Sequence, residues 1–177
     1  MTYKPFIALA AALTLAWPAA AVLPVGAKAP DFSTQGSLAG KNFPFTLSQA
    51  LKKGPVVLYF FPAAFTPGCT IEAHDFAEAT ADFNKAGATV IGVTAGNVDR
   101  LNEFSATECR NKFAVALASA SMIHDYDVKM AEREGLSNRT SYVIAPDGKI
   151  IYAYSAMNPR GHVTNTLDAV KAWRAKK

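Results

Sequence analysis

The chain has 177 residues, half of them hydrophobic, with 18 basic and 14 acidic side chains and a net charge of +4. That length suits one domain with an ordinary core. The charge is spread without long runs, so composition offers no case for nucleic-acid binding.

Residues 1–21 read as a secretory signal peptide. Lys4 supplies a positive start, Phe6–Trp17 is apolar apart from Thr14, and Ala19-Ala20-Ala21 fits a small-x-small cleavage site before Val22. An uncleaved anchor is the alternative, since no charge stands between Lys4 and Lys28. Pro18 and Pro24 interrupt that stretch, and its apolar core is short for a span. The reading is therefore cleavage near Ala21, a periplasmic or secreted product and no stable membrane association. The mature chain, 22–177, is expected to be a single domain. It keeps both cysteines, Cys69 and Cys109, and two thiols in an exported protein permit one disulfide.

Residues 22–55 look irregular, punctuated by glycine and proline, with a short strand at Phe43–Leu47 and a helical turn at Ser48–Lys53. Val56–Phe61 is continuously apolar and predicts a strand buried on both faces. Ile71–Lys85 predicts a helix, ended near Gly87, and Ala88–Val93 a second buried strand. Strand, helix and strand make a crossover unit. Asn97 is placed to cap a helix over 98–110, which puts Cys109 on the side of Leu101 and Phe104. Phe113–Leu117 predicts a short strand, and the polar Ser121–Glu134 stretch a short helix. Arg139–Ser155 reads as a hairpin turning at Pro146-Asp147-Gly148. A last helix over about 162–174 carries Val163, Leu167, Val170 and Trp173 on one face.

The stretch Phe61–Glu72, FPAAFTPGCTIE, lies where the first buried strand hands over to a helix. Thr before Pro marks a helix start, with Thr66 as N-cap, Pro67 first, Gly68 second and Cys69 third. First-turn N–H groups lack intrahelical partners and carry the positive end of the helix dipole, which favours a thiolate. Gly68 would leave room for a small substrate. A buried core cysteine on an apolar stripe fits the same spacing, so the residues alone leave both readings open.

Pro62, Thr66 and Cys69 form P-x-x-x-T-x-x-C, which resembles the peroxiredoxin active-site motif. The wording FTPGCTIEA is similar to the branch named after bacterioferritin comigratory protein, the Q-type peroxiredoxins of the AhpC/TSA superfamily. The likeness runs from about Val25, in VGAKAPDF, to the last helix. It implies an α/β, thioredoxin-like fold, with a central mixed β-sheet flanked by helices. It also implies a thiol-dependent peroxidase in which the Cys69 thiolate attacks the O–O bond and becomes a sulfenic acid. Thr66 would orient the peroxide, and Pro62 would shield the sulfur. Arg139, which opens RTSYVI, matches the family's catalytic arginine; without the resemblance it is a surface strand-end charge. Arg100, Arg110, Arg133 and Arg160 have no such context and read as solvated.

Glu72 matches a letter common in the branch and could orient Arg139, but an exposed helix acid is the other reading, and it stays outside the core site. Many members carry a second cysteine five residues after the first. Here that position is His74, read as a surface histidine. Cys109 is then the internal candidate for the resolving cysteine. A disulfide needs Cα atoms about 4.4–6.8 Å apart, which asks for local unwinding of the first helix. A buried structural cysteine in a one-cysteine enzyme is the alternative.

The implied partners are a peroxide substrate and an external dithiol reductant of thioredoxin type, acting on a monomer without cofactor or metal. Two other functions compete. A thioredoxin-like thiol-disulfide oxidoreductase would use C-x-x-C, and Cys69 has no such partner. A non-enzymatic exported domain would use Cys69–Cys109 as a permanent staple.

Overall fold

The computed structural model describes residues 22–177, so the signal peptide expected over residues 1–21 lies outside the described residues. Seven strands occur among the described residues: β1 (Ser33–Leu38), β2 (Lys41–Thr46), β3 (Val56–Phe60), β4 (Thr89–Thr94), β5 (Ala114–Leu117), β6 (Thr140–Ile144) and β7 (Ile150–Ser155). They form one mixed sheet in the order β2-β1-β5-β4-β3-β6-β7. The helices are α1 (Leu47–Leu51), α2 (Pro67–Lys85), α3 (Leu101–Thr107), α4 (Ala120–Asp125) and α5 (His162–Arg174).

Every residue of β3 is buried, as its unbroken VVLYF run requires of a strand covered on both faces. It pairs parallel with β4 and antiparallel with β6. A parallel neighbour cannot be reached by a tight turn, and α2 makes the crossover. Side chains alternate across the sheet. Val57, Tyr59 and Phe61 enter the layer holding α2, α3 and α5, while Val56, Leu58 and Phe60 enter the layer under α1 and α4. The first layer contains both cysteines.

Three departures from the sequence reading have local causes. The stretch read as irregular before residue 43 contains β1, which pairs antiparallel with β2 and β5. The strand sequence STQGSL has no apolar alternation to announce it. Helix α2 starts at Pro67 with Thr66 as its N-cap residue, the start that the Thr66-Pro67 pair announces, so it is longer than the Ile71–Lys85 run. The helix expected over 98–110 is a 3₁₀ turn, Val98–Arg100, followed by α3, which stops at Thr107. Arg110 and Asn111 take left-handed backbone, φ 50° and 58°, which no α-helix continues through. Asn97 is left-handed too and does not cap; its side-chain amide instead donates to the Ala64 carbonyl at 2.7 Å.

Candidate active site

The site grows from the end of β3. Pro62 has no N–H, so the ladder stops there, and its buried carbonyl accepts from the Thr94 hydroxyl at 3.1 Å. Ala64 N donates to the Gly96 carbonyl at 3.1 Å. A β-carbon on Gly96 would lie 2.5 Å from that of Ala63, so only glycine lets the two loops meet. Phe65 then turns through φ 61°, with the Arg100 guanidinium 4.0 Å above its ring and Phe104 edge-on at 5.2 Å. Arg100 is exposed, as expected of a solvated charge, and from the surface it covers the Phe65 ring and pairs with Glu103.

Thr66 is the N-cap residue of α2, but its hydroxyl does not cap the helix. It donates to the Ala63 carbonyl at 3.0 Å, which leaves its oxygen lone pairs directed elsewhere. Thr70 makes the first helical bond, to the Thr66 carbonyl, so the N–H groups of Gly68 and Cys69 have no i−4 partner. Cys69 sits at the third helical position with only 1% of its surface exposed.

Arg139, just before β6, is buried and holds three partners at once. Its Nη2 lies 3.5 Å from Cys69 Sγ, its Nε donates to the Met157 carbonyl at 3.0 Å, and its Nη1 donates to Glu72 Oε2. Burial works against the guanidinium's charge, but the negative charge of Glu72 and Cys69 outweighs it and holds Arg139 cationic. The surface alternative for Arg139 therefore fails, and so does that for Glu72, which is fully buried. A β-carbon on Gly68 would lie 3.0 Å from Nη2, so the room that glycine provides is taken by the guanidinium.

Behind Glu72 stands His162, the first residue of α5, also fully buried. Its Nδ1 is 2.8 Å from Ser141 Oγ and 3.6 Å from Glu72 Oε1, and its Nε2 is 2.9 Å from the Ala156 carbonyl. Burial pushes the Glu72 carboxyl up to about 8, against the pull of Arg139. Burial lowers His162 to about 4. Chemically, the site presents a sulfur, a hydroxyl and a fixed cation around one point, which suits attack on an electrophile that leaves as an anion.

The AhpC/TSA family model matches residues 25–153, well over half of the chain. The chain belongs to the AhpC/TSA family. Peroxiredoxin Bcp of Xanthomonas campestris pv. campestris is 32% identical over 125 residues, covering 66% of this chain and 76% of that protein. The chloroplastic peroxiredoxin Q of Triticum aestivum is 33% identical over 129 residues, covering 71% of this chain and 59% of that protein. Among solved structures, peroxidoxin BcpB from Mycobacterium tuberculosis superposes with a TM-score of 0.74 at 30% identity, covering 84% of this chain and 96% of the other. A reduced 2-Cys peroxiredoxin from Plasmodium vivax shares the fold, with a TM-score of 0.76 at 22% identity over 85% of this chain and 82% of the other. The thioredoxin-like fold and the Q-type resemblance are thus both met: the chain is a peroxiredoxin, a thiol-dependent peroxidase.

In this peroxiredoxin Cys109 lies two residues beyond α3, not on it. Its N–H donates to the Phe104 carbonyl at 3.0 Å, and the residue is fully buried in the cluster that also holds Cys69, Phe61 and Phe104. Burial, helped by the Glu108 charge, pushes its thiol up. Both cysteines are free thiols. His74 is not a plain surface histidine: its Nε2 is 2.9 Å from Glu108 Oε2, and Arg110 pairs with Glu78 at 3.0 Å. Two pairs thus pin the Cys109 segment to α2. His162, Ser141 and the Met157 carbonyl are the contributors that the sequence reading missed. Of the apolar positions expected to orient the last helix, Leu167 and Val170 are buried and Val163 packs against the core, and the buried face takes in His162 and Thr166 as well. Among the described residues no group of three or more His, Cys, Asp or Glu is placed to hold a metal.

Proposed function

We propose that this peroxiredoxin reduces hydrogen peroxide and organic hydroperoxides at Cys69. The observation that carries the reading is the Arg139 guanidinium, 3.5 Å from Sγ and held on its other arms by Glu72 and the Met157 carbonyl. The thiolate sulfur attacks one peroxide oxygen. The S–O bond forms as the O–O bond breaks, and hydroxide or alkoxide leaves, supported by Arg139 and the first-turn N–H groups and then protonated from solvent. Thr66, with free lone pairs, accepts from the peroxide O–H. Cys69 is left as a sulfenic acid.

The Cys109 thiol then attacks the sulfenic sulfur, forming the Cys69–Cys109 disulfide and releasing water, and an external dithiol protein of thioredoxin type reduces it. The approach requires the first turn of α2 or the segment after α3 to open. We place the enzyme in the periplasm or outside the cell, as a monomer, because of the leader pattern over residues 1–21 and the branch it resembles. Membrane fractionation with N-terminal sequencing, and light scattering, test those two points.

The deciding experiment mixes pre-reduced protein with a small excess of hydrogen peroxide and follows thiol loss and intact mass. Fast loss of both thiols with a two-proton mass decrease, blocked by Cys69→Ser, is expected. Cys109→Ser should stop at a Cys69 sulfenate. A wild-type protein that also stops there works with one cysteine. No fast reaction at Cys69 overturns the peroxidase reading.

A further inference from the structure

Basic charge that is spread thinly along the sequence is gathered at one end of the fold. The strand pairings fix which end. Val56 of β3 pairs with Thr89 of β4 and with Ile144 of β6, and Ile91 of β4 pairs with Ala114 of β5. Lys53 before β3, Lys85 before β4, Lys112 before β5 and Lys149 in the turn after β6 therefore meet at the sheet end that lies away from Cys69. Gly54 packs so closely on the Gly87 carbonyl that no β-carbon fits there. Arg174 Nη1 donates to the Lys85 carbonyl at 2.9 Å, which brings in the last turn of α5 with Lys171. All six side chains are exposed, and the acids beside them are Asp82 and Asp147. The negative dipole ends of α2 and α5 account for Lys85, Lys171 and Arg174. Lys112 and Lys149 stand in loops, and Lys53 follows a helix of five residues, so the dipoles do not account for those.

Between Lys53 and Lys112 opens a cleft of about 420 Å³, the size of a small-ligand pocket. Leu38, Phe43, Phe45 and Phe113 give it apolar walls, and no acid lines it. Leu38 is 41% exposed. In the last turn of α5 the half-buried Trp173 ring has Lys177 Nζ above it at 5.0 Å. Aromatic rings beside cations suit a boundary between water and lipid. A nucleic acid or an acidic polysaccharide would use the cations and leave the apolar cleft idle. An anionic lipid uses both.

We propose that this end docks reversibly on an anionic lipid bilayer, with lipid phosphates against the lysines and one acyl chain in the cleft between Lys53 and Lys112. Cys69 then faces water, because α2 carries it about 24 Å from Lys85 at 1.5 Å per residue. The peroxide site stays open to substrate and to a dithiol protein while the enzyme is held at a surface. Toward the Cys69 end the exposed cations are paired, Arg100 with Glu103 and Arg110 with Glu78, so an anionic surface attracts the lysine end first. The attraction reaches about 10 Å at 0.1 M salt, and more salt releases it. That separates it from the stable anchoring a retained leader would give. No contact in the docking touches Cys69, so it does not rest on the peroxidase reading.

The test is co-sedimentation of the protein, purified from a host that exports it, with phosphatidylcholine vesicles carrying about 30% phosphatidylglycerol, against phosphatidylcholine alone. Binding to the anionic vesicles should be at least about tenfold stronger, and should fall about tenfold as salt rises from about 0.05 to about 0.3 M. Lys53→Glu with Lys112→Glu should cost at least about tenfold. Lys129→Glu with Arg133→Glu makes the same charge change in the segment before β6, at the Cys69 end, and should cost about twofold at most. Ala50→Trp, which fills the cleft, should weaken binding several-fold and keep the salt dependence. The rate of Cys69 with hydrogen peroxide, read on the same samples, should be unchanged by all of these substitutions, so the docking and the peroxidase reading fail separately. Equal binding to both vesicles overturns the docking. So does binding indifferent to salt, or charge reversal that costs the same at either end. Ala50→Trp binding as wild type overturns the acyl-chain site. Binding to heparin or duplex DNA without binding to the vesicles overturns lipid as the partner.

Discussion

Gly68 and Arg139 face each other across the active site: a β-carbon on the glycine would stand 3.0 Å from Nη2 of the arginine. Gly68→Ala therefore sets stability and activity against each other. Alanine favours the first turn of α2 by up to about 1 kcal/mol. Its methyl group also pushes Nη2 away from Sγ. We expect an equal or higher melting temperature together with a roughly tenfold slower reaction of Cys69 with peroxide, the size of loss that follows when a hydrogen-bond donor is displaced rather than deleted. Stopped-flow kinetics and thermal melts on the same sample check it. A rate equal to wild type would mean that Nη2 does not serve the sulfur.

Thr66→Val keeps the shape of the N-cap residue and removes the hydroxyl. The Ala63 carbonyl loses its donor at 3.0 Å, a stability cost of about 1 kcal/mol. The peroxide loses its acceptor, and we expect the peroxide reaction to slow by about 10²-fold. Thr66→Ser should recover most of the rate. If valine slows peroxide no more than it slows iodoacetamide alkylation of Cys69, the hydroxyl does not orient substrate.

The Glu72–His162 pair makes stability depend on pH in one particular window. Glu72 binds its proton more tightly folded than unfolded, so its contribution is present at low pH and is lost as pH rises from about 4.5 towards about 8. His162 binds its proton less tightly when folded, so its contribution is present above about 6.5 and is lost as pH falls towards about 4. Between about 4.5 and 6.5 the pair carries one proton in both states, and the two slopes cancel. From about 6.5 to about 8 the folded pair keeps a proton that the unfolded chain has lost. Stability should fall there by about 2 kcal/mol. Urea unfolding at several pH values, wild type against Glu72→Gln, reads this as a slope present in the first and absent in the second. Parallel curves would place no titration at Glu72 in that range.

The two pairs that pin the Cys109 segment to α2 are half-exposed, so each is worth at most about 1 kcal/mol. Replacing both His74 and Glu78 by alanine should speed disulfide formation after Cys69 is oxidised by a few-fold, while the first oxidation step keeps its rate. Rapid quench with mass analysis separates the steps. An unchanged second step would mean that the α2 first turn, not this segment, limits the approach.

How much of this could be read from residues alone follows the range of the interactions. Val56–Phe61, the hairpin around Pro146-Asp147-Gly148 and the 162–174 helix are written in local pattern, and the structure has them within a residue. The run T-P-G-C marks its own helix start, and Thr66 and Pro67 stand at those positions. Strand β1 lacks that legibility, because STQGSL is held by pairing with β2 and β5 rather than by its own propensity. The early end of α3 depends on left-handed Arg110 and Asn111; asparagine tolerates that backbone, but arginine gives no sign of it. Glu72 and His162 are 90 positions apart, and each alone resembles an ordinary helix residue; only the assembled sheet brings α2 and α5 side by side.

The hydrogen bond from Arg139 Nε to the Met157 carbonyl has a consequence for how large the working unit is. The family match ends at residue 153 and includes Pro62, Thr66, Cys69 and Arg139. A fragment cut there would carry every signature letter and still leave the arginine's third arm empty, with Ala156 and His162 gone as well. The motif is a name tag for this chemistry, and the instrument extends at least one helix further along the chain.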